Sequence, residues 1–315
     1  MNYQIRPARD SDLDQVLTLL ERLQAMPEHH IGYHGDTRAE LAEELPELNW
    51  PTATVVAVDD ADRVHGVLTA EFDTALGRVW WHGPYVDVPA EHPAADRIWD
   101  RTADALLARA CQLPELRDIA DSELFGHVEH RRLAQFAQRH GFPDGTYTSV
   151  LTLEGVDLVR LIGSVPDQGT GVEVRDFPTP PTDSVAAAGL IKLHEQSFPK
   201  TYVSAAQLLS GENERTLVVA TAGGRVVGYA AGSIQQAAYY VDFVAVATDF
   251  RGRHIAGALV TQLVQRLAEQ HGERPKVCCT VQGGNVASRR MHMRLGFRST
   301  LELVGYRLRA HRLVA

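Results

Sequence analysis

Between Tyr240 and Val260 the chain reads YVDFVAVATDFRGRHIAGALV: a short apolar strand, a basic turn and the start of a helix. The first turn of a helix leaves backbone N–H groups without intrahelical partners. With Arg251 and Arg253 beside them, these groups form a receptor for a diphosphate. Further on, NVASRRMHMRLGF opens with Asn285 at a polar strand end, continues as an amphipathic helix and leaves through Gly296-Phe297. Two of the titratable side chains in these segments could move protons in a reaction. Asp242 interrupts an apolar run beside Phe243 and Val244, where desolvation raises a carboxylate pKa and makes it a better base near neutrality. The same position also suits a carboxylate at a sheet edge that bonds a neighbouring turn. His292 titrates near neutral pH, yet Met291 and Met293 on either side equally describe a packed, hydrogen-bonded histidine.

The two segments together resemble the GNAT superfamily of acyl-CoA-dependent N-acetyltransferases. The family's cofactor motif, Arg/Gln-x-x-Gly-x-Gly/Ala, is matched by Arg251-Gly252-Arg253-His254-Ile255-Ala256, with His254 where Gly is usual. The family pattern N-x-x-A-x-x-L-Y-x-x-L-G-F is matched at Asn285, Met291, Leu295, Gly296 and Phe297. There Ser288 replaces Ala and His292 replaces Tyr. The resemblance covers Val172 to about Arg309 closely and the first half in outline. It implies acetyl-CoA or coenzyme A as cosubstrate, held by Val244, Ala245, Val246, the turn residues Arg251 to Ala256, and Asn285, Ser288 and Arg289. It further implies transfer of an acetyl or short acyl group to a primary amine of a small molecule or peptide. A coenzyme A-binding sensor that has lost the chemistry is the alternative. Such a transfer needs a neutral amine, a donor for the oxyanion and a proton for the departing thiolate. By resemblance these are Asp242 as base, the N–H of Val244 as oxyanion donor and His292 as acid. His254 either bonds a phosphate oxygen or faces solvent. Glu195, Tyr202 and Tyr240 fall where the fold's first helices cover the acceptor, although packing or surface is the commoner place for such residues.

The elements that must carry these residues recur. Each half opens with a strand, IRPARDSD from Ile5 and VEVRDFPTP from Val172, followed by a helical stretch and a hairpin. The hairpins turn at Asp60–Asp62 and at Gly223-Gly224. Each half then has an apolar strand and a helix and ends in Gly-Phe, at Gly141-Phe142 and Gly296-Phe297. The expected architecture is α/β (α+β): two tandem GNAT-like domains, each a mixed, mostly antiparallel twisted sheet with helices on both faces. The expected boundaries are 1–155 for a degenerate domain, 156–171 for a linker rich in Pro and Gly, and 172–315 for the cofactor-binding domain. The first half has VPAEHPAADR where the second has the basic turn. Glu91 and Asp96 there would occupy helix N–H groups and repel a diphosphate. His130 stands at its Asn position and Ala137 at its Tyr position. That half would serve as scaffold or wall an acceptor pocket.

With 315 residues, 44% hydrophobic and 23% charged, the chain has room for two ordinary domains. A net charge of −9 disfavours nucleic acid as a partner. No apolar run is long enough to span a membrane, and the opening residues lack a signal-peptide core, so a reducing cytoplasm is expected. The three cysteines make no disulfide framework. Cys278-Cys279 should point to opposite faces of one strand. The 14 histidines are scattered, and no metal is expected. The pair Trp80-Trp81 should likewise divide between two faces, in core or interface packing. The amine acceptor and the oligomeric state are not encoded in any of these features.

Overall fold

The computed structural model describes residues 3–309 except 90, 118, 168–170, 200, 211–213 and 236–237. Part of the expected linker (168–170) and the end of the expected second domain (310–315) therefore lie outside the described residues. The first run of elements is β1 (Gln4–Pro7), α1 (Leu13–Gln24), α2 (Arg38–Glu47), β2 (Thr54–Val58), β3 (Val64–Asp73), β4 (Arg78–Val86), α3 (Ala95–Ala110), β5 (Asp121–His127), α4 (Arg131–Arg139) and β6 (Thr146–Glu154). After α5 (Gly155–Ile162), the order repeats as β7 (Glu173–Phe177), α6 (Ser184–Ser197), α7 (Ala205–Ser210), β8 (Thr216–Ala222), β9 (Arg225–Gln235), β10 (Ala238–Val246), α8 (Ile255–His271), β11 (Lys276–Gln282), α9 (Val286–Arg294) and β12 (Arg298–Leu308). The duplication read from the sequence is therefore present element by element.

The compact units do not follow the boundaries read from the sequence. One unit is Met1–Thr148 together with Glu302–Ala315, and the other is Ser149–Leu301. The repeats have exchanged their last strands. In the first unit, residues 303–308 of β12 pair antiparallel with β5, with Leu303 opposite His127 and Leu308 opposite Ser122. In the second unit, β6 lies next to β11, and its Leu151 and Leu153 join the core. The expected linker also begins as a helix, α5, whose Leu158 and Leu161 pack into that same core. Apolar residues at i and i+3 in GVDLVRLI gave that helix its buried stripe.

In the second unit, β7, β8, β9 and β10 form an antiparallel run, and β11 joins β10 in parallel. Helices cover both faces. One face packs on α8 through Leu259, Leu263, Val264 and Leu267. The other packs on α6 and α7 through Leu190, Leu193 and Leu208. Helix α8 sits very close to the sheet because Gly232 of β9 has no side chain: a Cβ there would meet Tyr240 O at 2.5 Å and Leu263 Cδ2 at 3.0 Å. Helix α6 starts where Asp183 accepts from the N–H groups of Val185 and Ala186, each at 3.0 Å. Cys279 is buried on the α8 face and Cys278 is half-buried, with its Sγ 3.6 Å from Thr152 Oγ1 on β6. In the first unit Trp81 is fully buried, whereas Trp80 is half-buried with the Arg78 guanidinium over its ring. Among the described residues no helix is long and apolar enough to cross a membrane.

Candidate functional site

The site in the second unit begins with a defect in β10. Its register against β9 slips between Val241 and Phe243, so Asp242 is an extra residue, a β-bulge. Because side chains alternate along a strand, one extra residue exchanges the faces. Tyr239 and Val241 point to the α8 core before the bulge; afterwards Phe243 and Ala245 point to the α6 core and Val244 and Val246 pack toward α8. On the other edge, parallel pairing with β11 covers only Tyr239 opposite Val277 and Tyr240 opposite Cys278 among the described residues. Beyond Tyr240 the two strands part. Ala247 N–H donates to Val227 O at 2.8 Å. Alternation back along the antiparallel ladder therefore turns the N–H groups of Val244 and Val246 away from β9, toward the opened edge.

The turn after β10 completes the cradle. It contains a short 3-10 turn at Thr248–Phe250, then Gly252 with φ 77° and His254 with φ 63°. His254 is the residue before α8 and lies in the left-handed region. That conformation explains why Gly is usual at this position, since it costs a side-chain-bearing residue about 1–2 kcal/mol. Histidine is among the residues that adopt it more readily. His254 is exposed, so the side chain crowds nothing in the protein. No hydrogen bond among the described residues is made by the backbone N–H groups of Gly252, Arg253, His254, Ile255 or Ala256. Five donors at the positive end of a 17-residue helix match the oxygens of a diphosphate. The two arginines shape the turn: Arg251 Nε donates to Val246 O at 3.1 Å, and Arg253 donates to Asp249 O at 3.1 Å while stacking over Phe250. These donors and the open strand edge fit the diphosphate and the extended amide chain of coenzyme A.

Asp242 projects from the bulge into a closed environment. Its side chain has no solvent exposure, and it accepts from Tyr202 Oη at 2.8 Å and Ser233 Oγ at 3.1 Å, with Arg215 Nε 3.5 Å away. Burial raises its pKa, and Arg215, Tyr202 and Ser233 offset part of that rise. Ser233 and Arg215 escaped the sequence reading. Ser233 is the one serine in the apolar strand VVGYAAGSI, a signal whose meaning depended on β9 facing β10. Tyr202, read as packing or surface, does touch the site. Tyr240 Oη lies 3.1 Å from Thr280 Oγ1, bridging β10 and β11 where they part. Glu195 is exposed on α6.

On α9, the Asn285 side chain accepts from Ser288 N at 3.1 Å and so caps the helix, leaving its NH2 for other partners. Ser288 and Arg289 are half-buried on the same helix. His292 is the packed histidine of this helix. It is buried, its Nδ1 donates to Ser288 O at 3.0 Å, and its Nε2 is buried without a partner. Burial lowers its pKa. Burial thus disfavours the imidazolium form of this ring.

The first unit shows a different arrangement at the equivalent position. Its parallel pairing of β4 and β5 also ends early, at Trp81 opposite Leu124. There the chain fills its own gap. Ile31, between α1 and α2, bridges to Gly126; Gly32 N donates to Phe125 O at 2.8 Å and His127 N to His30 O at 3.0 Å. Gln24 holds the insertion by bonding both the N–H and the C=O of Ile31. The acidic residues act otherwise than expected. Asp96 pairs with Arg132 at 2.9 Å, Glu91 is exposed, and Ala94 N is capped by His92 Nδ1. His130 takes the capping role of Asn285, accepting from Leu133 N at 3.2 Å. Among the described residues no group of three or more His, Cys, Asp or Glu could hold a metal ion.

Residues 187–297 match the family model described as the acetyltransferase (GNAT) family. No curated protein matches the chain. Among solved structures, a GCN5-related N-acetyltransferase from Sphaerobacter thermophilus is similar over 98% of this chain and 96% of its own, with a TM-score of 0.70 at 16% identity. A tandem GNAT protein from the clavulanic acid biosynthesis pathway is similar over 98% and 99%, with a TM-score of 0.66 at 16% identity. A GCN5-related glucosamine N-acetyltransferase region of a fungal multi-domain GH3 β-N-acetylglucosaminidase is similar over 97% of this chain and 38% of that one, with a TM-score of 0.62 at 14% identity. Residues 187–297 of the second half thus match the GNAT acetyltransferase family model, and the chain as a whole shares the duplicated fold of these solved structures.

Proposed function

We propose that the second unit transfers an acetyl or similar short acyl group from its coenzyme A thioester to a primary amine of a small molecule or peptide. The observation that carries this reading is the row of unpaired N–H groups from Gly252 to Ala256, set at the end of a strand whose edge is open from Asp242 onward. In this reading the turn binds the diphosphate, and Val244 and Val246 pair with the pantetheine amides. The Val244 N–H faces the oxygen where negative charge develops, and Asp242 is the final acceptor of the amine proton. Attack is direct, because no activated nucleophile accompanies the site: Cys279 is buried and burial drives its thiol pKa up, the reverse of an activated cysteine. With His292 neutral, the thiolate leaves without a protein acid and is protonated from solvent. The first unit, its gap filled by Ile31, binds no cofactor.

One observation favours a second reading, a coenzyme A-binding sensor: the acid position of α9 holds a buried imidazole whose pKa burial lowers. Thiol release from acetyl-CoA, followed across a panel of primary amines with wild type and Asp242→Asn, decides between them. Amine-dependent release that falls at least about 100-fold in the variant, the usual scale of general-base catalysis, supports the enzyme. Stoichiometric coenzyme A binding without release on any amine supports the sensor.

A further inference from the structure

The carboxylate that should accept the amine proton cannot be touched by an amine. Asp242 has a fully buried side chain, and both of its oxygens are engaged. Of its three partners, Ser233 is buried and the Arg215 side chain is only 14% exposed. Tyr202 is 46% exposed, and it is the one partner that reaches the surface. Its hydroxyl donates to Asp242 Oδ1 at 2.8 Å.

Tyr202 is held for that contact. Its ring stacks on Phe243, the first residue after the bulge, with centroids 5.4 Å apart. The next residue is fixed as well, because His194 Nε2 donates to Val203 O at 2.9 Å while Tyr229 Oη donates to His194 Nδ1 at 2.6 Å. Burial lowers the pKa of His194, which keeps the ring in the neutral form that this pair of bonds requires. Phe198 and His194 also pack edge-on against Phe243. The bulge, the α6–α7 connection and the Tyr202 hydroxyl thus form one locked assembly.

We propose that Tyr202 is the group that meets the acceptor amine and relays its proton to Asp242. This rests on the acyl-transfer reading above and names how that site handles the proton. The acceptor's ammonium gives one proton to Tyr202 Oη as the tyrosine's own proton passes to Asp242 Oδ1. The tyrosine ends neutral, Asp242 is protonated and the amine carries its lone pair. That lone pair forms the bond to the thioester carbonyl carbon, the C–S bond breaks with its electrons on sulfur, and the nitrogen's remaining extra proton reaches the thiolate through solvent. Asp242 then returns its proton to water. A concerted relay suits a phenol whose own pKa is driven far upward by burial and by the Asp242 charge, since free tyrosinate never forms. Arg215 and Tyr240 are the other titratable groups facing the carboxylate.

Tyr202→Phe tests the relay, because it retains the ring stacked on Phe243 and removes only the hydroxyl. With purified full-length protein, acetyl-CoA and the amine panel, thiol release by the variant should show kcat lowered by about 10²-fold near pH 7 and an unchanged KM for acetyl-CoA. Its rate should climb with pH and approach wild type once the amine is deprotonated in bulk solution. A tyrosine that merely packs would instead lower the rate equally at every pH. A Tyr202→Phe enzyme with wild-type kcat and pH profile overturns the relay while leaving acyl transfer standing. Absence of thiol release by wild type on every amine, with coenzyme A still bound, removes the acyl-transfer reading and the relay with it.

Discussion

Replacing His130 by Asn should remove a defined share of the first unit's acid sensitivity. His130 is buried, ringed by His29 and Trp99, and its Nδ1 caps α4 by accepting from Leu133 N. Burial, reinforced by His29, Arg132, His30 and His127, lowers its pKa from 6.5 to about 3. A folded-state pKa below the unfolded value means that the unfolded chain binds more protons. The stability from the neutral ring is complete above pH 6.5 and is lost as pH falls from there toward pH 3. At pH 5 the two pKa values translate into about 2 kcal/mol of lost stability relative to pH 8. His34, lowered to about 4 by burial, adds a similar loss. Together they remove about 4 kcal/mol, a large fraction of the 5–15 kcal/mol of a typical domain. Asn keeps the cap, as Asn285 does on α9, and does not titrate. The assay is built in: all four tryptophans, Trp50, Trp80, Trp81 and Trp99, belong to the first unit, so their fluorescence reports its unfolding alone. Urea unfolding of wild type and His130→Asn at pH 8 and pH 5 gives two pH-dependent differences. The variant's should be smaller by about 2 kcal/mol, whatever the packing cost of the substitution at pH 8. An unchanged difference would refute the assignment of His130 as a buried neutral cap.

The exchanged strand predicts that Leu303→Ala, near the end of the sequence, destabilises the tryptophan-bearing unit by about 2–5 kcal/mol, as for other buried leucines. Coenzyme A affinity should not change; loss of affinity with tryptophan unfolding unmoved would contradict the exchange. Expressed separately, 1–155 and 156–315 should each lack a native strand and fail to unfold cooperatively, whereas coexpression should restore one species on a sizing column. In the cradle, Gly252→Val forces a β-branched residue into positive φ and should weaken coenzyme A binding at least tenfold by titration calorimetry. His254→Gly relieves the left-handed strain and should leave affinity within about twofold, with a stability gain below about 1 kcal/mol. His292→Phe should keep kcat within a few-fold; a 100-fold loss would restore a catalytic role for that ring.

What could be read from the sequence was local. The strand–turn–helix at Asp242–Ala256, the Asn285 cap region and the duplicated element order all rest on periodicity, turn residues and helix starts, which neighbouring residues encode. Features that depend on which strand lies beside which were hidden. A bulge at Asp242 shows only against β9, so its contacts with Ser233 and Arg215 had no linear signature, although its apolar neighbours did signal desolvation. The exchange of β6 and β12 leaves each strand's pattern intact and alters only its neighbour, which is why the boundary fell at 155 in the sequence and elsewhere in space. The first unit's lack of a basic turn was visible in VPAEHPAADR, but the filling of its strand gap was not: the Ile31 insertion draws on residues before α2, almost a hundred positions from Gly126. For His292 the flanking methionines said that it packs without saying how completely it is buried.

The most direct measurement is a calorimetric titration of the full-length protein with coenzyme A. The account predicts saturable binding at one molecule per chain, weakened by Gly252→Val and indifferent to substitutions around Ile31. Two molecules per chain would contradict the filled gap of the first unit. No measurable heat or competition with acetyl-CoA would contradict the cradle at Gly252–Ala256, and the proposed chemistry with it.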